Sequence, residues 1–271
     1  MPGRYRSFDG VAKDYDKTRV IPDSQLRSIA KICASTARVE KSGLFLDAGV
    51  GTGRFAVPLS KIAPGRTIGV DISLEMMGMI APKDPEGKLA LLSGDLRSLP
   101  FRDGSIRGAL AVHILHIIED WKAVLDELSR VIEPGGVLIL GTELGGRSVL
   151  TDFYFERARA RRVLVENIGA TGSSPALNYL RQKSPKGRSA ASIELLSTPS
   201  LTWKRLMPVA ETLNVLERAT FTQMWDIPPD HHKQIFQETR DYADRMFPST
   251  KQDEALNAQF VMHAVRWPQN K

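Results

Sequence analysis

A single cysteine, Cys33, stands among 271 residues, which excludes an internal disulfide and any metal site built from clustered thiolates. No metal is expected. The same scarcity fits a reducing compartment, and a cytoplasmic location is the expectation. No apolar run approaches the roughly 18 residues that suggest a membrane-spanning helix, so no membrane span is expected either. The basic opening Met1-Pro2-Gly3-Arg4-Tyr5-Arg6 leads into Phe8-Asp9-Gly10 rather than an apolar segment, and does not read as a secretory signal. What is present is ordinary for a globular α/β chain: 42% hydrophobic and 25% charged residues, enough for a sizeable core. The net charge of +6 is placed unevenly, because residues 147–205 hold 11 Lys/Arg against 4 Asp/Glu. Such a segment attracts nucleic acid, anionic membrane or an acidic substrate, and charge alone does not choose among them.

From about residue 44, short apolar runs alternate with helical patterns, the signature of βαβ units around a parallel sheet. Strands are expected at Leu44–Ala48, Thr67–Ile72, Leu89–Gly94, Ala109–Ile114 and Val137–Thr142. Helices should begin after Gly53, at Ser73, and at Asp120, which can cap Trp121–Ile132. Glu133-Pro134-Gly135-Gly136 reads as the stop and turn that follow. Residues 9–40 look helical, broken at Ile21-Pro22-Asp23. Beyond Thr142, residues 145–205 are rich in Gly, Ser, Pro and Arg, with one helix expected at Asp152–Ile168, stopped by Gly169. Further strands are expected at Ala219–Asp226 and Gln259–Trp267, with a helix from Asp230 to about Met246 between them.

The strongest local signal is Leu44-Phe45-Leu46-Asp47-Ala48-Gly49-Val50-Gly51-Thr52-Gly53-Arg54. A strand runs into a glycine turn and a helix begins, so backbone can approach a ligand without a Cβ in the way. The dinucleotide fingerprint G-x-G-x-x-G would need glycine where Arg54 stands, and the phosphate-binding loop G-x-x-x-x-G-K-[ST] is absent. Asp71 closes the second strand about 20 residues further on, where a carboxylate can accept hydrogen bonds from both hydroxyls of a ribose.

Asp47-x-Gly49-x-Gly51-x-Gly53 resembles the first motif of class I S-adenosylmethionine-dependent methyltransferases. The resemblance continues in order through Asp71-Ile72-Ser73, Gly94-Asp95-Leu96-Arg97-Ser98-Leu99-Pro100-Phe101, Ala111-Val112-His113-Ile114-Leu115-His116 and Arg130-Val131-Ile132-Glu133-Pro134-Gly135-Gly136. The N-terminal run from Phe8 to Arg19 resembles the cofactor-covering segment of ubiquinone/menaquinone-biosynthesis methyltransferases. The likeness is close over residues 8–142 and loose over 203–267. It implies a doubly wound, mostly parallel seven-stranded sheet of the Rossmann-like methyltransferase kind. Residues 1–40 would be a helical cap, 41–144 and 206–271 the core, and 145–205 a basic insertion after the fifth strand acting as a lid.

The implied cofactor is S-adenosylmethionine, held by Asp47, Gly49, Gly51, Gly53, Asp71 and Ile72. Asp95 would face the adenine amino group and Leu96 its ring, while Tyr15 and Arg19 would meet the amino-acid end. Methyl transfer is an in-line displacement, so the protein aligns the nucleophile, excludes water and, for oxygen or nitrogen acceptors, helps remove a proton. His113 is the candidate base, because an unperturbed imidazole titrates near neutrality; a plain role in the cleft wall stays open beside it. His116 would support the fold or the cleft rim, and His231 and His232 read as solvated. On the wheel of Asp152–Ile168, the residues Phe153, Tyr154, Ala158, Ala160, Leu164, Val165 and Ile168 form one apolar arc. Arg157 and Arg161 fall inside that arc and must find anions, whether on an anionic acceptor or on the protein itself. The expected partner is a small-molecule acceptor. A nucleic-acid, RNA or protein methyltransferase and a non-catalytic cofactor-binding module are the alternatives. Against nucleic acid, the fourth-strand region lacks the Asn/Asp-Pro-Pro-aromatic pattern, and no Pro-Cys nucleophile is present.

Overall fold

Apolar residues recur on both faces of the first five strands, as they must where helices cover a parallel sheet on both sides. These are β1 (Leu44–Ala48), β2 (Arg66–Asp71), β3 (Ala90–Ser93), β4 (Ile106–Val112) and β5 (Ile132–Gly145). The structure, a computed structural model, describes residues 8–164, 167–182, 194–196 and 198–269. The strands lie in the order β3-β2-β1-β4-β5, and each neighbouring pair is parallel. Phe45, Leu46, Ile106, Val137 and Leu138 are wholly shielded from solvent; burying a side chain of this size contributes about 1.5–3 kcal/mol.

Ahead of β1, α1 (Ala12–Thr18) and α2 (Asp23–Ala37) are separated at the expected Ile21-Pro22 break. The helices between strands are α3 (Ala56–Ile62), α4 (Leu74–Gly78) and α5 (Trp121–Val131). Ser73 caps α4 by accepting the Met76 N–H at 3.1 Å. Asp120 stands at the start of α5 but makes no side-chain capping bond. The Glu133–Gly136 stretch, expected as a turn, belongs to β5, and the register with β4 shifts between Ile106 and Gly108.

The later elements are α6 (Val149–Ala160), α7 (Ser174–Gln182), β6 (Glu194–Leu196), β7 (Leu201–Pro208), α8 (Val209–Glu217), α9 (Pro229–Met246) and β8 (Asp253–Arg266). The chain forms two units, the first comprising Met1–Thr142, Ile168–Leu201 and Val261–Lys271, the second Glu143–Asn167 and Thr202–Phe260. These bounds differ from the expected division: Ile168–Leu201 falls in the first unit and Thr202–Phe260 in the second. In the first unit the sheet continues β5-β8-β6, with β6 antiparallel to β8. Seven strands therefore make the main path, and β7 pairs with β8 beside it. The sheet is mostly parallel, as expected, and becomes mixed where β6 pairs with β8. The second unit has its own core, centred on Leu150, Tyr154, Phe155, Leu213, Leu216 and Phe236.

Three further expectations are corrected. The strand foreseen at Ala219–Asp226 is a tight turn around Thr222–Met224, with Phe221 and Met224 packed into that second core. A short apolar run suits a buried turn as well as a strand. The helix foreseen to Ile168 ends at Ala160, where Arg162 takes a left-handed φ of 57°, well before Gly169; Val165 lies outside the described residues, as do residues 183–193, 197 and both chain ends. His232, foreseen as solvated, is 2.6 Å through Nδ1 from the Tyr154 hydroxyl and 3.0 Å through Nε2 from the Glu217 carbonyl. A carbonyl only accepts, so the proton sits on Nε2 and Tyr154 donates to Nδ1.

Candidate active site

In the order β3-β2-β1-β4-β5, the chain leaves β1 toward one edge and leaves β4 toward the other. The crevice at that switch point, outside the carboxyl ends of the strands, is where such sheets bind ligands. A cavity lies there, lined from the carboxyl ends of β1, β2, β3 and β4. Gly49 and Gly51 follow β1, Asp71, Ile72 and Ser73 close β2, Gly94 to Arg97 follow β3, and Val112, His113 and Ile114 close β4.

The turn after β1 is built for close approach. Gly49 has φ +83°, and a Cβ on it would lie 2.8 Å from the Ile114 side chain; Gly51 has φ +50°. The turn is folded back onto β2, because the N–H groups of Gly49 and Val50 both donate to the Val70 carbonyl, at 2.9 and 3.0 Å. Asp71 holds it from the side, accepting Gly51 N–H at 2.8 Å and Ser73 N–H at 2.9 Å. A carboxylate has about four acceptor positions, so Asp71 keeps capacity for a ligand's hydroxyls. Burial raises its pKa against the opposing pull of those N–H groups.

Asp47 and Gly53, expected at the cofactor, are not on the cavity wall. Gly53 packs against Ile80 and Val57. Asp47 is 2% exposed and lies under the loop, where the Ala56 N–H bonds it. Burial first, and the Asp71 charge second, push its carboxyl up to about 8, so it is protonated at neutrality. Below about pH 4 the folded and unfolded chains both carry this proton. Between there and about 8 only the folded chain does, so stability falls as pH rises through that window and levels off above it. Asp47→Asn, which mimics the neutral acid, should flatten this trend; urea titrations at pH 6 and pH 9 read it, and equal pH slopes in both proteins would refute the assignment.

After β3, Arg97 grips Asp95 through its Nε at 3.0 Å and Nη2 at 2.7 Å, and Asp95 also accepts the Arg97 N–H at 2.9 Å. These bonds hold Asp95 below the usual carboxylate range. Leu96 and Arg97 line the cavity beside it. Arg97 carries no signal in the sequence beyond its place in the motif, and its fork on Asp95 emerges only in the fold.

The N-terminal segment closes one side. Phe8 and Tyr15 line the cavity and meet edge to face at 5.4 Å. Arg19 does not line it; its guanidinium lies 4.4 Å over the Tyr15 ring. Sequence reading missed the fastener of this cap, Asp16. Its carboxylate accepts the Thr52 hydroxyl at 2.5 Å and pairs with Lys83, which also donates to the Thr52 carbonyl at 2.7 Å. Asp16→Ala should loosen Tyr15 from the glycine turn and weaken S-adenosylhomocysteine binding by about 1 kcal/mol, roughly fivefold, since the pair is partly exposed. The difference should shrink in high salt; calorimetry at two salt concentrations decides, and unchanged affinity rejects the fastener.

His113 takes a left-handed φ of 50° and forms part of the wall of two cavities. Burial, reinforced by His116 and by the charges of Arg54 and Arg19, pushes its imidazole down to about 3. The ring is therefore neutral and a poor proton acceptor, which argues against the base expected from the sequence. Arg157 and Arg161 belong to the second unit, and the anion they meet is Glu238: Arg157 Nε lies 2.8 Å from it, and Arg161 pairs with its other oxygen. The protein supplies the partner that the sequence left open. The buried arc of α6 runs through Leu150, Thr151, Tyr154, Phe155 and Ala158, while Ala160, expected inside it, is exposed.

Residues 46–140 match the methyltransferase-domain family. The chain is 31% identical over 184 residues to a demethylmenaquinone methyltransferase of Roseiflexus castenholzii, covering 65% of this chain and 75% of that protein. It is 29% identical over 178 residues to the ubiquinone/menaquinone biosynthesis C-methyltransferase of Syntrophotalea carbinolica, covering 64% and 74%. Among solved structures, the YcgJ protein of Bacillus subtilis superposes with a TM-score of 0.55 at 17% identity, over 90% of this chain and 99% of that one. Phosphoethanolamine N-methyltransferase 2 of Haemonchus contortus, in complex with S-adenosyl-L-methionine, superposes at 0.54 and 16% identity, over 96% and 57%; at such identities the likeness is one of fold. The glycine cradle that a Cβ would fill, the Asp71 carboxylate and the cavity at the switch point fit S-adenosylmethionine, and with the sequence relatives they place this chain among the class I S-adenosylmethionine-dependent methyltransferases.

Proposed function

We propose that the protein methylates a small molecule rather than a nucleic acid or a protein. The observation that carries this reading is the arrangement of two cavities that share His113 and Ile114: one holds the glycine turn and Asp71, and the second adjoins it. A second recess beside the cofactor cleft gives a compact acceptor a place to enter. The sequence relatives, named for menaquinone and ubiquinone biosynthesis, support the same class. The basic segment gives less support to nucleic acid than its charge suggests, because Arg157 and Arg161 are engaged with Glu238.

Asp71 would hold the ribose hydroxyls, Leu96 would pack on the adenine with Asp95 at its edge, and Tyr15 would cover the amino-acid end. Arg19 and Arg54 lie close enough to His113 to act on it, and their charge would favour the cofactor's carboxylate. When bound, S-adenosylmethionine supplies an electrophilic methyl group on a sulfonium. His113 and Ile114 line both cavities, so an acceptor in the smaller one would lie beside the cofactor.

Calorimetry with S-adenosylhomocysteine should give a dissociation constant in the micromolar range, ordinary for enzyme ligands. Labelled methyl groups from S-adenosylmethionine should then pass into a fraction of small metabolites and not into duplex DNA, structured RNA or protein at physiological salt. Weak, salt-sensitive association with nucleic acid is compatible with the reading; robust methylation of it is not.

A further inference from the structure

The wall of the smaller cavity carries Ser173, whose histidine partner lies outside the lining. The segment after Ile168 folds across the loop that follows β4: Gly169 N–H donates to the His116 carbonyl and Ala170 N–H to the Leu115 carbonyl, both at 3.1 Å. This brings Ser173 to the cavity wall, facing the same space as His113, His116 and Thr142. Behind it, Ser173 Oγ is 2.9 Å from Nδ1 of His263 on β8. Among the other side chains on the wall, Ile114, Leu115, Leu140 and Ala170 are apolar, so a hydroxyl placed there has few side chains to take its proton. His113 is unsuited, being neutral and weakly basic, and serine alone is a far weaker base than an imidazole at neutral pH. A serine hydrogen-bonded to a histidine is the pairing by which a hydroxyl gains basicity.

We infer that this chamber receives the nucleophilic hydroxyl of the methyl acceptor, and that Ser173 and His263 together remove its proton. The inference rests on the small-molecule reading above and adds the chemical class, a hydroxyl acceptor. In the tautomer with its proton on Nε2, His263 accepts the Ser173 hydroxyl proton at Nδ1 while Ser173 Oγ takes the proton of the acceptor. The acceptor oxygen, relieved of that proton, forms its bond to the methyl carbon as the carbon–sulfur bond breaks, and sulfur keeps that electron pair. His263 is left as the imidazolium and returns its extra proton to water between turnovers. The titratable groups on the chamber are His113 and His116, so no carboxylate competes for the proton among the described residues that line it.

The test uses phenols of increasing acidity (phenol, 4-chlorophenol and 4-nitrophenol) with the 271-residue chain and its Ser173→Ala and His263→Gln variants. Glutamine can still hydrogen-bond Ser173 but takes no proton at neutral pH, so it separates holding the serine from activating it. With S-adenosylhomocysteine bound, 4-nitrophenol should show the phenolate absorbance at a pH where the free compound is mostly protonated, and both variants should lose that signal. With labelled S-adenosylmethionine, methyl transfer to phenol should fall about 10²-fold or more in each variant, the usual range for a lost general base. The deficit should narrow toward 4-nitrophenol, which ionises unaided. S-adenosylhomocysteine affinity should be unchanged in both variants. The inference is overturned if the wild type neither ionises nor methylates any of the phenols, or if the variants match it in both assays. It is also overturned if the deficit is the same for every phenol. Absence of S-adenosylhomocysteine binding by the wild type would instead remove the underlying small-molecule reading.

Discussion

Replacing Asp71 with alanine is expected to weaken S-adenosylhomocysteine binding by about 3 kcal/mol, on the order of 100-fold, the upper range for hydrogen bonds to a charged group. Two effects add. The carboxylate oxygens that would face the ribose are lost. So are the acceptors for Gly51 N–H at 2.8 Å and Ser73 N–H at 2.9 Å, which position the turn and the start of α4. Asp71→Asn keeps the shape and one carbonyl oxygen, so its loss should be smaller. Because burial raises the Asp71 pKa, protonation should weaken binding at a higher pH than an exposed aspartate would. Calorimetry on wild type and both variants measures all of this. Equal affinity in wild type and Asp71→Ala would contradict the placement of the cofactor.

The second large effect concerns Gly169. A Cβ at this position would lie 2.0 Å from the Leu115 carbonyl oxygen and 2.4 Å from that of Ile118. Both are backbone atoms and cannot swing aside. Gly169→Ala must therefore lift the segment away from the loop after β4, breaking the hydrogen bonds of Gly169 and Ala170. Overpacking costs about 1–3 kcal/mol and each lost hydrogen bond about 1 kcal/mol. The expected total is about 3 kcal/mol, or roughly a 10 °C fall in melting temperature for a chain of this length. Cofactor affinity should fall too, because Ile117 and Ile118 in the same loop line the larger cavity. Gly172→Ala is the control: its φ is +72° but nothing lies within 4 Å of the added Cβ, so only left-handed strain of about 1–2 kcal/mol applies. A Gly169→Ala protein as stable as the Gly172→Ala protein would show that this segment is not anchored there.

Local signals were sufficient wherever a residue's role follows from its neighbours in sequence. The run from Leu44 to Gly53 fixes a strand, a turn with positive φ and a helix start, because apolar periodicity and glycine act over a few residues. Ser73 at the start of α4, and the break at Ile21-Pro22, were legible for the same reason. The family resemblance named Gly49, Gly51, Asp71, Ile72, Asp95, Leu96 and His113, and these residues line one cavity because their motifs end successive parallel strands.

Only the tertiary structure decided what depends on partners far apart in the chain. Asp47 and Asp71 read alike as acidic strand ends, yet one is buried under the turn and holds a proton while the other faces the cavity. Arg157 and Arg161 read as cations in want of an anion; that the anion is Glu238, some 80 residues away, is a fact of packing. Asp16 with Lys83 and Thr52, and Ser173 with His263, leave no local pattern, because side-chain hydrogen bonds between distant segments impose no periodicity on either. The short apolar run at Ala219–Asp226 was misread because burial alone does not distinguish a strand from a packed turn.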